Sequence, residues 1–117
     1  MKDNFLILTN IKKTIIRLET FLDNYRRTEK VLKDNIKKEM YSLLKDCYSA
    51  NIFKDSDRLM YQKKLLVHIK MLDFYIYCSH HKKLISNKQY LSISNHLLDL
   101  FVLTQWWIKS EKNKQSI

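Results

Sequence analysis

The stretch that decides the fold is Leu8-Thr9-Asn10-Ile11-Lys12-Lys13-Thr14-Ile15-Ile16-Arg17-Leu18-Glu19-Thr20-Phe21-Leu22-Asp23-Asn24-Tyr25. Leu8, Ile11, Ile15, Leu18, Leu22 and Tyr25 recur at alternating steps of three and four over about five turns, the signature of one apolar helical seam. Lys12, Lys13, Arg17 and Glu19 fall on the other faces, as residues meeting water should. Asp23-Asn24 is the only polar punctuation before the next apolar series, so the spacing predicts a helix over about 4–23 and a turn within 23–28.

Working outward, Thr28 is a candidate cap for a second helix over about 28–52, with the seam Leu32, Ile36, Met40, Leu43, Cys47 and Ala50. Lys54-Asp55-Ser56-Asp57 breaks the pattern, and Asp55 or Ser56 is expected to cap a third helix over about 56–79. That helix is apolar nearly all round, which requires burial on more than one side. His80-His81-Lys82-Lys83 places cations where a helix dipole favours them. Ser86-Asn87-Lys88-Gln89 then reads as a capping box opening a fourth helix over about 87–111, whose seam includes Ile93, Leu97, Leu100, Thr104 and Trp107. A polar tail from Lys109 to Ile117 follows.

Composition supports the same reading. The 117 residues include no glycine and no proline, where average usage would supply about a dozen. Tight hairpins favour those residues, so a sheet-rich fold is not expected. Phosphate loops, dinucleotide fingerprints and nucleophile elbows need glycine, and those enzyme classes go with it. One helical domain spanning 1–117 is the expectation. Four helices about 35 Å long, joined by loops too short to cross end to end, give an antiparallel up-down-up-down four-helix bundle.

The amino terminus has no signal-peptide pattern and no window is apolar enough to span a membrane, so no membrane partner and a cytoplasmic, reducing setting are expected. Cys47 and Cys78 have neither disulfide-framework nor metal-motif spacing. Adjacent His80 and His81 point apart, and no further ligand joins them or Cys78 at fixed spacing, so no metal and no cofactor are expected. His68 and His96 stand alone on their helices. Asp73 is the only carboxylate expected to be partly buried, and it has no partner in a dyad or triad; the chain reads as a non-enzyme.

Lys+Arg 22 against Asp+Glu 12 gives a net charge of +10. An AT-rich coding sequence would favour lysine and exclude glycine and proline in the same way, so two readings of the charge stand side by side. The densest basic stretch, Arg26, Arg27, Lys30, Lys33, Lys37 and Lys38, recurs at three and four residues and can follow a phosphate backbone or form an ordinary solvated face. The apolar surplus of the third helix, including Met60, Val67, Met71 and Phe74, suits a subunit interface. Trp106 and Trp107 lie about 100° apart on a helix. They divide between core and interface anchoring, and both are candidate interface residues.

Three stretches carry a resemblance: Asn24-Tyr25-Arg26-Arg27-Thr28 leading to Tyr48-Ser49-Ala50-Asn51; Leu66-Val67-His68-Ile69-Lys70-Met71-Leu72; and Leu84-Ile85-Ser86-Asn87-Lys88-Gln89-Tyr90 followed by Asp99 through Lys109. They resemble the Avd-type four-helix-bundle proteins, the accessory variability proteins of diversity-generating retroelements, together with related proteins encoded in intervening sequences of large-subunit ribosomal RNA genes. The resemblance implies a homopentameric barrel with a positive surface. For retroelement members it implies binding to the reverse transcriptase and to RNA or DNA during mutagenic retrohoming. For intervening-sequence members it implies a self-associating bundle with no direct nucleic-acid role. Lys70 fits the first of two basic positions four apart in the family's third helix; Phe74 stands at the second. Lys70 therefore joins the candidate nucleic-acid residues.

Overall fold

The structure is a computed structural model that describes the backbone of residues 2–115 and the side chains of residues 6–114. Residues 1, 116 and 117, at the edges of the expected domain and polar tail, lie outside the described residues. Four helices, and no strand, make up the described chain: α1 (Lys2–Leu22), α2 (Lys30–Ile52), α3 (Asp55–His81) and α4 (Asn87–Gln115). Each helix packs on its chain neighbours, and α1 also packs on α4; among the described residues the α1–α3 and α2–α4 backbones do not approach within 8 Å. The extents, 51 × 23 × 19 Å, are those of helices lying side by side.

The seams read from the sequence line the core. Ile11, Ile15, Leu18, Leu22 and Tyr25 are buried from α1 and its end; Ile36, Met40, Leu43, Cys47 and Ala50 from α2. α3 buries Leu65, Ile69, Leu72 and Ile76, and α4 buries Ile93, Leu97, Leu100 and Trp107. Among the described side chains of α1, Ile7 is fully buried and Leu8 beside it only half-buried. Burial of the Cys47 thiol pushes its pKa up to about 11, which holds it in the unreactive protonated form.

The chain ends its helices differently from expectation at two of three places. Thr28 does not cap α2: it lies in a 3-10 turn, Arg27–Glu29, and Glu29 at the N-cap makes no side-chain cap bond. At α3 the N-cap is Lys54, again without a side-chain bond, and Asp55 has φ 58. The capping box is present: Ser86 N donates to Gln89 Oε1 at 2.9 Å and Gln89 N donates to Ser86 Oγ at 3.1 Å. At the C-terminus of α3, Lys83 N donates to His80 O and Leu84 N donates to Ser79 O, closing the helix around Lys83 at φ 62.

Polar links fix the helices against one another. Tyr41 OH donates to Glu19 Oε1 at 2.7 Å between α2 and α1, and Arg17 Nη1 donates to Ser92 Oγ at 2.6 Å between α1 and α4. Lys82 at the end of α3 meets Glu29 just before α2 at 2.9 Å. Arg58 Nε donates to Ala50 O at 2.8 Å, and its Nη1 lies 3.4 Å from buried Glu111, joining α2, α3 and α4 at one end. No helix among the described residues is long and apolar enough to cross a membrane.

Candidate functional site

The basic stretch begins in the connection between α1 and α2. Arg26 is extended (φ −66, ψ 153), Arg27 opens the 3-10 turn, and both are exposed. At 100° per residue, Lys30, Lys33 and Lys37 share one flank of α2 with Tyr41 and Tyr48. That flank faces α1, because Tyr41 bonds Glu19 and the Lys12 ammonium lies 5.9 Å from the Tyr48 ring centroid. Lys33 and Lys37 are half-buried. Lys38 points about 100° further round the helix from Lys37 and is exposed.

Three carboxylates interleave with these cations: Glu29, Asp34 and Glu39. Lys30 Nζ and Asp34 Oδ2 are 2.9 Å apart, an exposed pair four residues apart. The hydrogen bond from Lys30 is the main cause holding the Asp34 carboxyl below its ordinary value, and it raises the Lys30 pKa in return. Lys70 belongs to a different face. Its ammonium lies 4.4 Å from the Phe101 ring of α4, beside a cavity of about 130 Å³ that Asp73 and Leu98 also line. The structure therefore brings Lys30, Lys33 and Lys37 together, and does not bring Lys70 to them.

Of the candidate interface residues, Met60, Val67, Met71 and Phe74 point outward from α3, with Val67 62% and Phe74 54% exposed. The two tryptophans separate. Trp106 is 58% exposed, whereas Trp107 is 5% exposed and packs in the core. Trp107 is thus a core residue rather than an interface anchor, because the buried side of α4 runs through Leu100, Thr104 and Trp107. An apolar line that sequence reading did not single out appears on α4 instead: Leu91, Leu98, Val102 and Trp106 are all exposed.

A second missed constellation lies between α2 and α3. His68 Nδ1 meets Glu39 Oε2, and His68 Nε2 lies 3.3 Å from Asp46 Oδ2. That contact satisfies an ion-pair distance without the alignment of a hydrogen bond, and Asp46 Oδ2 is buried with no hydrogen-bond partner. Burial raises the Asp46 pKa, more than the nearby His68, Lys64 and Lys45 charges lower it. A groove of about 640 Å³ opens beside this pair, lined among others by Lys45, Lys63 and Lys64. A raised carboxyl binds its proton more tightly folded than unfolded, so its contribution is favourable at low pH and is lost as pH rises through the folded value. Asp46→Asn is accordingly expected to raise the thermal midpoint at pH 7 and to leave it nearly unchanged at pH 3. Melting curves at the two pH values measure this, and an equal effect at both would refute burial as the cause.

Among the described residues no group of three His, Cys, Asp or Glu side chains is placed to hold a metal ion. The His80 ring stacks on Tyr90 at 4.3 Å and meets Asn87, and His81 stacks on Tyr77 at 6.4 Å. Asp73 is half-buried at the α3–α4 cavity, but it is not alone as expected: Asp46 and Glu111 are more deeply buried, because the packing of α2, α3 and α4 encloses them.

No protein-family model matches the chain, and no curated protein does. A solved structure does: the crystal structure of a protein of unknown function from the S23 ribosomal protein family of Bacteroides thetaiotaomicron, with TM-score 0.83 and 19% identity, covering 93% of this chain and 99% of that one. The likeness is one of fold. It establishes that this helical arrangement, over nearly its full length, is one that another natural sequence also adopts.

Proposed function

We propose that this chain is a non-enzymatic antiparallel up-down-up-down four-helix bundle that self-associates and binds RNA or DNA without reading sequence, as an accessory protein to a retroelement reverse transcriptase in the cytoplasm. The observation that carries the reading is a division of surfaces: outward apolar residues line α3 and α4, while the flank with Lys30, Lys33 and Lys37 lies on the α1 side of α2. Antiparallel packing is supported by Lys82 at the end of α3 meeting Glu29 before α2, and by Arg58 at the start of α3 meeting Ala50 near the end of α2.

Self-association changes what the charge can do. Five copies of a chain with net charge +10 carry about +50 on one particle, a potential no single copy reaches. Such a particle holds a polyanion by releasing counterions, so the expected result is a steep, linear fall of log affinity with log salt. Titrating mixed-sequence RNA and DNA against the purified protein at several salt concentrations tests this. A loss of about 10³ in affinity between 50 and 200 mM salt is expected for six or more phosphate contacts, and a salt-independent affinity would refute it.

The S23 ribosomal protein family name of the structural neighbour favours a second reading, a self-associating structural bundle of the intervening-sequence type whose lysines reflect codon usage. Gene context separates the two. A neighbouring reverse-transcriptase gene with near-identical repeats differing at adenines supports the retroelement role, and a position within a ribosomal RNA operon supports the other.

A further inference from the structure

The groove of about 640 Å³ between α2 and α3 joins unanswered cations to an aromatic wall. Pockets that take a molecule the size of a nucleotide span about 300–1,000 Å³, so its volume suits one. Lys45, Lys63 and Lys64 line it, all exposed, and among the described residues none lies within ion-pair distance of a carboxylate. Three positive charges are left for a ligand. Asp46 also lines the groove, but it is 7% exposed, with its buried Oδ2 3.3 Å from His68 Nε2. Every exposed charged residue of the lining is therefore a lysine. Met60, Tyr61 and Val67 supply the apolar part. Phe53 backs the Tyr61 ring, stacked at 5.4 Å and 14°, and the Lys64 ammonium lies 5.1 Å from the Tyr61 centroid. A ring braced in this way beside free lysines is the combination on which nucleic-acid bases stack.

Resting on the nucleic-acid binding proposed above, we infer that the partner is a single strand, which crosses α2 from the basic flank and lays an unpaired base on Tyr61 in this groove. Lys45 connects the two places. It lies about 80° round α2 from Lys37, and Asp46 at the groove lies about 100° further in the same sense. Exposed Lys38, seven residues earlier, shares the side of Lys45, so cations continue from the flank to the groove without a gap. A duplex cannot use the groove, because its bases are stacked inside the helix and present no free face to a ring. An acidic peptide would answer the lysines and leave the aromatic wall without a planar partner. Stacking does not read sequence, since every base has a face to offer, and the single-strand preference is compatible with sequence-independent binding.

Titration of the full chain, at one salt concentration, with an oligothymidylate strand and with a mixed-sequence duplex of the same length tests this. The strand is expected to bind about tenfold tighter than the duplex. Tyr61→Leu keeps apolar bulk beside Phe53 and removes the ring, so it should weaken strand binding about tenfold and leave duplex binding unchanged. If circular dichroism shows that variant to be unfolded, Lys63→Gln with Lys64→Gln, at two exposed positions, should likewise erase the strand's advantage. Equal affinity for strand and duplex, or a strand preference that survives in a folded variant, would overturn the inference and leave binding at the basic flank standing. Binding of neither nucleic acid would instead refute the nucleic-acid reading itself, and the groove's role with it. Polyglutamate is the remaining arm: if it displaces the strand as readily as unlabelled strand does, the groove takes acidic peptide and the inference fails.

Discussion

Trp107→Ala is expected to cost about 3–5 kcal/mol of folding stability, while the same change at the adjacent Trp106 leaves the stability of a single subunit nearly unaltered. Trp107 is buried in the core, together with Leu100 on the same side of α4, so truncation removes a large apolar surface and leaves a cavity that rigid neighbours fill only in part. Trp106 stands outward with the Lys109 ammonium 5.3 Å from its ring, and its loss from that position exposes nothing new in the core. Urea unfolding of the two variants measures the contrast. Equal destabilisation would mean that both rings are packed.

Replacing Arg26, Arg27, Lys30 and Lys33 together by glutamine is expected to abolish nucleic-acid binding at moderate salt while leaving the assembly mass unchanged. If each of the four answers one phosphate, the salt slope on duplex DNA falls by about 3–4 units. Lys30 is expected to contribute least, because its ammonium is already shared with Asp34. The four positions lie on the α1 side or in the connection before α2, away from the outward faces of α3 and α4, so assembly should not respond. Filter binding across a salt series, with light scattering on the same protein, reads both effects. Unchanged affinity would move the contact to another basic surface, of which the groove bordered by Lys45, Lys63 and Lys64 is the clearest.

The apolar seams of the helices were legible because a step of three or four residues is a property of one helix and needs no knowledge of its neighbours. Ile36, Met40, Leu43, Cys47 and Ala50 illustrate this, each buried where the period places it. What the period cannot reveal is register between helices. His68 looked solitary in the sequence, yet the packing of α2 on α3 sets it between Glu39 and Asp46, residues 29 and 22 positions earlier. Buried Gln62, whose amide atoms meet no hydrogen-bond partner, is likewise invisible to a reading that assigns polar residues to the surface. The capping box was legible because Ser86 and Gln89 bond each other locally, while Thr28 misled because the chain inserts a 3-10 turn before α2 begins. The candidate site divided along the same line. The shared flank of Lys30, Lys33 and Lys37 follows from helical spacing alone, whereas the separation of Lys70 from them depends on which neighbour each face of α3 meets.

The corner after α3 has a consequence for how this protein tolerates change. Helices that end as this one does usually place glycine at the left-handed residue, since a side chain there crowds the backbone by about 1–2 kcal/mol. Here a lysine, Lys83, occupies that conformation with φ 62, in a chain that contains no glycine anywhere. The surrounding bonds, Lys83 N to His80 O and Leu84 N to Ser79 O, must hold the backbone against that crowding. A sequence limited in this way carries latent tension at its bends, and the packing of the helices on either side supplies the force that keeps those bends shut.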